Sequence, residues 1–138
     1  MFSNSAKYAI RTILFIAGFP DAQKCTVKDI SSALSIPKPY LSKILQQLSK
    51  NGIISSTKGR GGGFYLTKAN LKKSLNDIIL CIDGKSIFNQ CLLGLDKCSD
   101  SKPCRFHEDF KLFKTTLEQK IIRESIKDLI NDSKLFNV

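Results

Sequence analysis

Three cysteines, spaced Cys91-x6-Cys98-x5-Cys104, are the residues of this chain best equipped for chemistry. They stand in a polar stretch, with Lys97, Lys102 and Arg105 beside them. Neighbouring cations favour the thiolate, which is both the metal ligand and the nucleophile. Cys81 lies between Leu80 and Ile82 and reads as a core thiol; Cys25 is also assigned a structural role. Five cysteines is an odd number, and Met1-Phe2-Ser3-Asn4-Ser5 is not a basic-then-apolar leader. A secreted disulfide framework is therefore not expected, and a reducing cytoplasm is. His107, the single histidine, follows Cys104 by three residues, so on a helix the two share a face. Three thiols and one imidazole form a four-donor set suited to zinc or to an iron–sulfur cluster with one non-cysteine ligand. The gaps are wider than the tight C-x2–4-C pairs of a zinc finger. With one histidine and no nucleophile–base pair at motif spacing, no enzymatic activity is expected.

The cysteines need a frame. Residues 85–103 show no period and include Gly94 and Pro103, so they read as a loop. Ahead of it, residues 5–17 read as a helix capped by Ser3 or Ser5, ended by Gly18 and Pro20, and apolar nearly all round, hence buried. Thr26-Val27-Lys28-Asp29 is a capping box that opens a short helix to about Leu34. Ser35-Ile36-Pro37 breaks it, and a second helix starts near Pro39 and ends at Asn51-Gly52. Its inward residues are Leu41, Ile44, Leu45 and Leu48; its outward face carries Lys38, Tyr40, Ser42, Lys43, Gln46 and Gln47. Two short helices joined by a tight turn, the second with groove-reading side chains, predict a DNA-binding helix-turn-helix.

Residues 53–57 and 64–67 are β-prone and flank Lys58-Gly59-Arg60-Gly61-Gly62-Gly63. A hairpin with a glycine-rich cationic tip after a helix-turn-helix predicts a wing, with Lys58 and Arg60 entering the minor groove. A phosphate loop would need a helix straight after the glycines, and a strand-like segment follows instead. Candidate DNA contacts are thus Lys28 on the first helix, Lys38, Pro39, Tyr40, Ser42, Lys43 and Gln46 on the second, and Lys58, Arg60 and Gly61 on the wing. Charge agrees: the chain carries +10, with ten Lys/Arg against two Asp/Glu over residues 1–68 and twelve against ten beyond. No run of 18 apolar residues is present, so no membrane span is expected.

Ser74-Leu75-Asn76-Asp77 caps another short helix, Ile78 to Ile82, stopped by Asp83-Gly84. From Pro103 or Cys104 to about Ile130, Phe106, Phe110, Phe113, Leu117, Ile121, Ile122, Ile126, Leu129 and Ile130 form a sustained apolar stripe. The stripe predicts one helix of about 40 Å, too long to bury within one chain, hence a homodimer helix that also packs on the first helix. The expected fold is mainly α with a small β-hairpin wing. It comprises a winged helix-turn-helix over 1–84, a cysteine-bearing sensor loop over 85–103, and a long dimerisation helix with its tail over 104–138.

With these features in place the chain resembles the Rrf-type transcriptional regulators, the IscR/NsrR/CymR group. The carriers are Tyr8-Ala9-Ile10-Arg11, Tyr40-Leu41-Ser42-Lys43-Ile44-Leu45, Leu48-Ser49-Lys50-Asn51-Gly52-Ile53-Ile54, Gly59-Arg60-Gly61-Gly62-Gly63-Phe64, Ile82-Asp83-Gly84 and the three cysteines. The resemblance implies a homodimer on a pseudo-palindromic operator in double-stranded DNA, with Cys91, Cys98 and Cys104 as ligands of an iron–sulfur cluster. Some relatives use an acidic fourth ligand just before the N-terminal tyrosine; here Lys7 precedes Tyr8. Cys104-x-x-His107 instead matches the pattern of the group's iron–sulfur assembly regulators, the IscR type, which implies His107 as fourth ligand and a two-iron rather than a four-iron cluster. The rival readings are a cluster-free repressor with a thiol/disulfide switch or a protein partner, and a winged helix that binds RNA or protein.

Overall fold

A computed structural model describes residues 2–20 and 23–133. Helix α1, Asn4–Ala17, is capped by Ser3, whose Oγ accepts the Ala6 N–H at 3.0 Å. It buries Ala6, Ala9, Thr12, Ile13 and Ile16 and lies at the centre of the molecule. Helix α2, Val27–Leu34, begins at the expected box: Thr26 Oγ1 accepts from the Asp29 N–H, and Asp29 accepts from the Thr26 N–H. Ser35 takes the left-handed conformation (φ 55°) to turn the chain. Helix α3, Lys38–Lys50, starts just before the expected position, with Pro37 as its cap and Pro39 in its first turn. Proline suits this place because its missing N–H would have no helical partner.

The hairpin forms from β1, Ser55–Thr57, and β2, Gly63–Tyr65, paired antiparallel with Ser56 opposite Phe64. Its strands are shorter than the sequence suggests. Ile53 and Ile54 are buried in the core instead, and Thr67 caps a one-turn helix α4, Lys68–Leu71. Cys25 adds a two-way backbone bridge to Phe64 (2.9 and 2.8 Å), tying the start of the helix-turn-helix to the wing. Gly62 and Gly63 are required here. A Cβ on Gly62 would stand 2.4 Å from the Thr57 carbonyl oxygen, and one on Gly63 2.8 Å from that of Cys25.

Buried Asn70 locks this stem. Its Oδ1 accepts from Ser55 Oγ, the Thr67 N–H and Thr67 Oγ1 at 2.8–2.9 Å, and its Nδ2 donates to the Gly52 carbonyl at 2.9 Å. The wing is thereby pinned to the end of α3. Helix α5, Leu75–Asp83, is longer than expected because its Ser74/Asp77 box starts it at Leu75; Gly84 (φ 74°) ends it. A 3-10 turn, Lys85–Asn89, follows, and then the irregular cysteine loop.

The single C-terminal helix expected from about residue 103 to Ile130 is corrected by the structure. Helix α6 is His107–Arg123, about 26 Å long by its 17 residues, and a separate helix α7 spans Ile126–Ser133. Glu124 is extended between them. A Ser125/Asp128 box starts α7, and the break pairs with a distant segment: the Leu75 N–H donates to the Glu124 carbonyl, and the Ile126 N–H to that of Lys73. These bonds replace the helical ones lost, and the kink drives Ile126 to full burial, worth about 1.5–3 kcal/mol. Helix α7 packs on α1 and α4 and so joins the N-terminal core. Residues 134–138, part of the expected tail, lie outside the described residues. Among the described residues no helix is long and apolar enough to cross a membrane.

Candidate cysteine site and nucleic-acid interface

The helix-turn-helix and wing hold the candidate DNA contacts on their outer surfaces. Lys28, Lys38, Pro39, Lys43 and Gln46 are exposed, as are Lys58, Arg60 and Gly61 at the wing tip; Ser42 is half-buried. Tyr40 is exposed but engaged: its hydroxyl bonds Ser5, and its ring meets Tyr8 edge-on at 5.7 Å. Helix α1 thus braces the first turn of α3. The N-terminus of α1 is itself held by Asp83, which accepts from the Ser3 N–H at 3.0 Å and from its hydroxyl. That contact accounts for Asp83 within Ile82-Asp83-Gly84, and a separation of 80 positions hid it from sequence reasoning.

The cysteine loop folds its three thiols together. All three Sγ atoms lie within 4.8 Å of one another, and none is in a disulfide. Cys91 and Cys104 stand 3.8 Å apart, the separation of about 3.8 Å expected for two thiolates at about 2.3 Å from one tetrahedral metal. Gly94 (φ 70°) turns the chain after Cys91. The backbone N–H of Leu95, and with it that of Leu93, pulls the Cys91 thiol down to about 7 against a smaller desolvation cost, helped by Cys98 and Cys104. Cys98 moves the other way. The Cys104 N–H lowers it, but desolvation and the neighbouring sulfurs together outweigh that and raise it. The donor set therefore fits a thiophilic metal centre: converging sulfurs, one with marked thiolate character near neutral pH.

His107 opens α6 but does not share a helical face with Cys104, which precedes the helix and only accepts the His107 backbone N–H. Its Nδ1 instead lies 3.2 Å from Cys98 Sγ, and its Nε2 2.9 Å from Asp100 Oδ1. Lys111 Nζ reaches the same oxygen at 2.9 Å. Lys111, and then His107, hold the Asp100 carboxyl down at about 2. Asp100 was absent from the sequence-derived site because an acidic residue in an aperiodic loop carries no local signal. A groove of about 620 Å³ between α5, the 3-10 turn and α6 opens onto Cys98 and His107. Cys25 and Cys81 stand apart; burial pushes both thiols up, as inert structural cysteines require.

The family model described as "Rrf2: Iron-dependent Transcriptional regulator" matches residues 2–132. The chain belongs to the Rrf2 family. It is 28% identical over 131 residues to the HTH-type transcriptional regulator NsrR of Geobacillus kaustophilus, covering 91% of this chain and 89% of that one. It is 25% identical over 136 residues to the regulator IscR of Escherichia coli O1:K1 / APEC, covering 99% and 83%. Among solved structures, the global cysteine regulator CymR of B. subtilis superposes with a TM-score of 0.73 at 18% identity, covering 95% of this chain and 96% of that one. The winged-helix fold of this Rrf2 chain is therefore the fold of a known regulator, and the chain is a transcriptional regulator of that family.

Proposed function

We propose that this Rrf2-family chain is a homodimeric, sequence-specific DNA-binding regulator whose grip is set by an iron–sulfur cluster on Cys91, Cys98, Cys104 and His107, of the two-iron kind. The observation that carries this reading is the convergence of three thiols within 4.8 Å, with an imidazole nitrogen 3.2 Å from one of them. A bound cluster supplies redox-sensitive and nitric-oxide-sensitive metal–thiolate bonds. The chain does the rest. Cys91 and Cys98 sit in the loop and Cys104 at the foot of α6, so coordination ties the loop to that helix. Helix α6 leaves Leu112 71%, Phe113 49% and Ile122 53% exposed, apolar side chains available for contact with a second copy. The reading head is the assembly of α1 to α5 with the wing. It applies Lys38, Pro39, Tyr40, Ser42, Lys43 and Gln46 to the major groove of a pseudo-palindromic duplex. Lys58, Arg60 and Gly61 reach the minor groove, and Lys28 the backbone. Order in the loop then sets how the two α6 helices meet, and so the spacing of the heads, which must match about one DNA turn.

The test is an absorption spectrum with iron and sulfide analysis on protein purified without oxygen, followed by duplex selection. The expected results are visible absorbance lost in the triple Cys→Ala variant, and a duplex affinity that differs between loaded and cluster-free protein. A colourless, metal-free protein that binds its duplex equally well with all three thiols replaced would refute the sensing part. One observation favours a second reading: Cys91 and Cys104, 3.8 Å apart, are placed for a thiol switch. A peroxide would oxidise the pair to a disulfide, leaving two waters. Metal-free protein whose DNA affinity responds reversibly to peroxide and thiol would support it.

A further inference from the structure

We propose that His107 binds the cluster through Nδ1, on the iron it shares with Cys98, and that Asp100 is the positioning residue that holds the ring in that tautomer. This rests on the cluster reading above. Two separate geometries lead to it. The first is the hydrogen-bond pattern of the ring. A neutral imidazole has one N–H, and an ionised carboxylate only accepts. With Asp100 Oδ1 at 2.9 Å from Nε2, the hydrogen belongs on Nε2, and the Nδ1 lone pair faces Cys98 Sγ at 3.2 Å. A carboxylate behind a ligating histidine is the usual device for fixing tautomer and ring orientation and raising ligand basicity.

The second geometry is the pairing of donors. Cys91 and Cys104 already stand at the separation of two thiolates on one tetrahedral metal. The remaining donors are Cys98 and His107. A sulfur at about 2.3 Å and a nitrogen at about 2.0 Å on one tetrahedral metal lie about 3.5 Å apart, so the observed 3.2 Å needs to open by only a few tenths. The four ligands divide two and two, as a two-iron cluster requires.

Asp100 is placed for this by the loop and the helix together. Ser99 and Lys102 pair by two backbone bonds, 3.3 and 3.1 Å, and so present Asp100 at the tip of a tight turn. His107 and Lys111, one turn apart on α6, both meet the same carboxylate oxygen. Asp100 is itself largely exposed, so its part is orientation rather than buried charge.

The chain has a single histidine, so isotope labelling reports one residue. Full-length protein is made with histidine carrying 15N at Nδ1 or at Nε2. In the cluster-free protein near pH 8, 15N–1H spectra are expected to show the Nε2–H tautomer. Asp100→Asn should abolish that preference, while Lys111→Met, which keeps the carboxylate, should retain it. In the reduced, cluster-loaded protein, electron–nuclear double resonance is expected to give the strong 15N coupling with the Nδ1 label. Asp100→Asn should raise the reduction potential without lowering iron content. A strong coupling from the Nε2 label, or a tautomer and potential indifferent to Asp100→Asn, overturns the inference while leaving the cluster reading intact. Protein that takes up no iron and sulfide anaerobically overturns both.

Discussion

Replacing Asn70 by alanine should cost this protein about 3 kcal/mol and detach its wing. The side chain is 4% exposed and makes four hydrogen bonds of 2.8–2.9 Å. Their losses are unequal. The Ser55 and Thr67 hydroxyls are half-buried and can turn toward water, and Gly52 is exposed, so its carbonyl rehydrates. Each of these three forfeits roughly 0.5–1 kcal/mol of net bonding. The Thr67 N–H is fixed in direction and, left without a partner, adds about 1–3 kcal/mol. These terms sum to about 2.5–6 kcal/mol, so a loss of about 3 kcal/mol is a conservative figure and still a large part of a typical stability of about 5–15 kcal/mol. Urea unfolding read by circular dichroism checks it, with a midpoint falling by about 2 M at a slope near 1.5 kcal/mol/M. Asn70→Asp keeps the three bonds to one oxygen but sets a second oxygen against the Gly52 carbonyl, and should fall between parent and alanine variant. Because Asn70 ties Ser55 of the wing to the end of α3, duplex affinity should drop with it even where the protein remains folded. An alanine variant within about 0.5 kcal/mol of the parent would refute the reasoning, since surface substitutions do no more.

Gly62→Ala should distort the wing, because its Cβ would meet backbone atoms of Thr57 and Gly59 at 2.4 and 2.8 Å; duplex affinity should fall by tenfold or more, with the helical circular dichroism unchanged. Arg60→Ala should weaken duplex binding, most for sites with a narrow minor groove under the wing, and reduce the slope of log affinity against log salt by about 1, measured by fluorescence anisotropy across a salt series. Thr12→Val should be neutral or stabilising by up to about 1 kcal/mol in the same urea assay, because the buried Thr12 hydroxyl has no partner among the described residues. The Thr26 N–H, and then its hydroxyl, hold the Asp29 carboxyl below its usual range. Its stabilisation is therefore complete above the ordinary carboxylate value near 3.9 and fades as pH falls through the lowered one. Urea midpoints of parent and Asp29→Asn, measured from pH 7 down to pH 2, should differ most at neutral pH and converge in acid.

Much of this was legible in the chain itself, because much of it is local. The Thr26/Asp29 and Ser74/Asp77 boxes act over three residues, and each caps a helix in the structure, the second starting at Leu75 rather than the expected Ile78. The wing follows from glycines that only a close backbone approach demands, and the buried face of α3 from the spacing of Leu41, Ile44, Leu45 and Leu48. The cysteine trio stood out by residue type and cationic surroundings, and the structure brings its three sulfurs within 4.8 Å of one another. Tertiary packing decided the rest. The apolar stripe from Phe106 to Ile130 kept helical period across the kink, so periodicity could not reveal it; Lys73 and Leu75, some fifty positions away, supply the bonds that make the break affordable and Ile126 the burial that makes it favourable. Spacing put His107 beside Cys104, yet the loop closes so that Nδ1 meets Cys98 and Nε2 meets Asp100. Spacing along a chain determines what lies one turn away, whereas which loop folds back onto which helix depends on burial summed over the whole core.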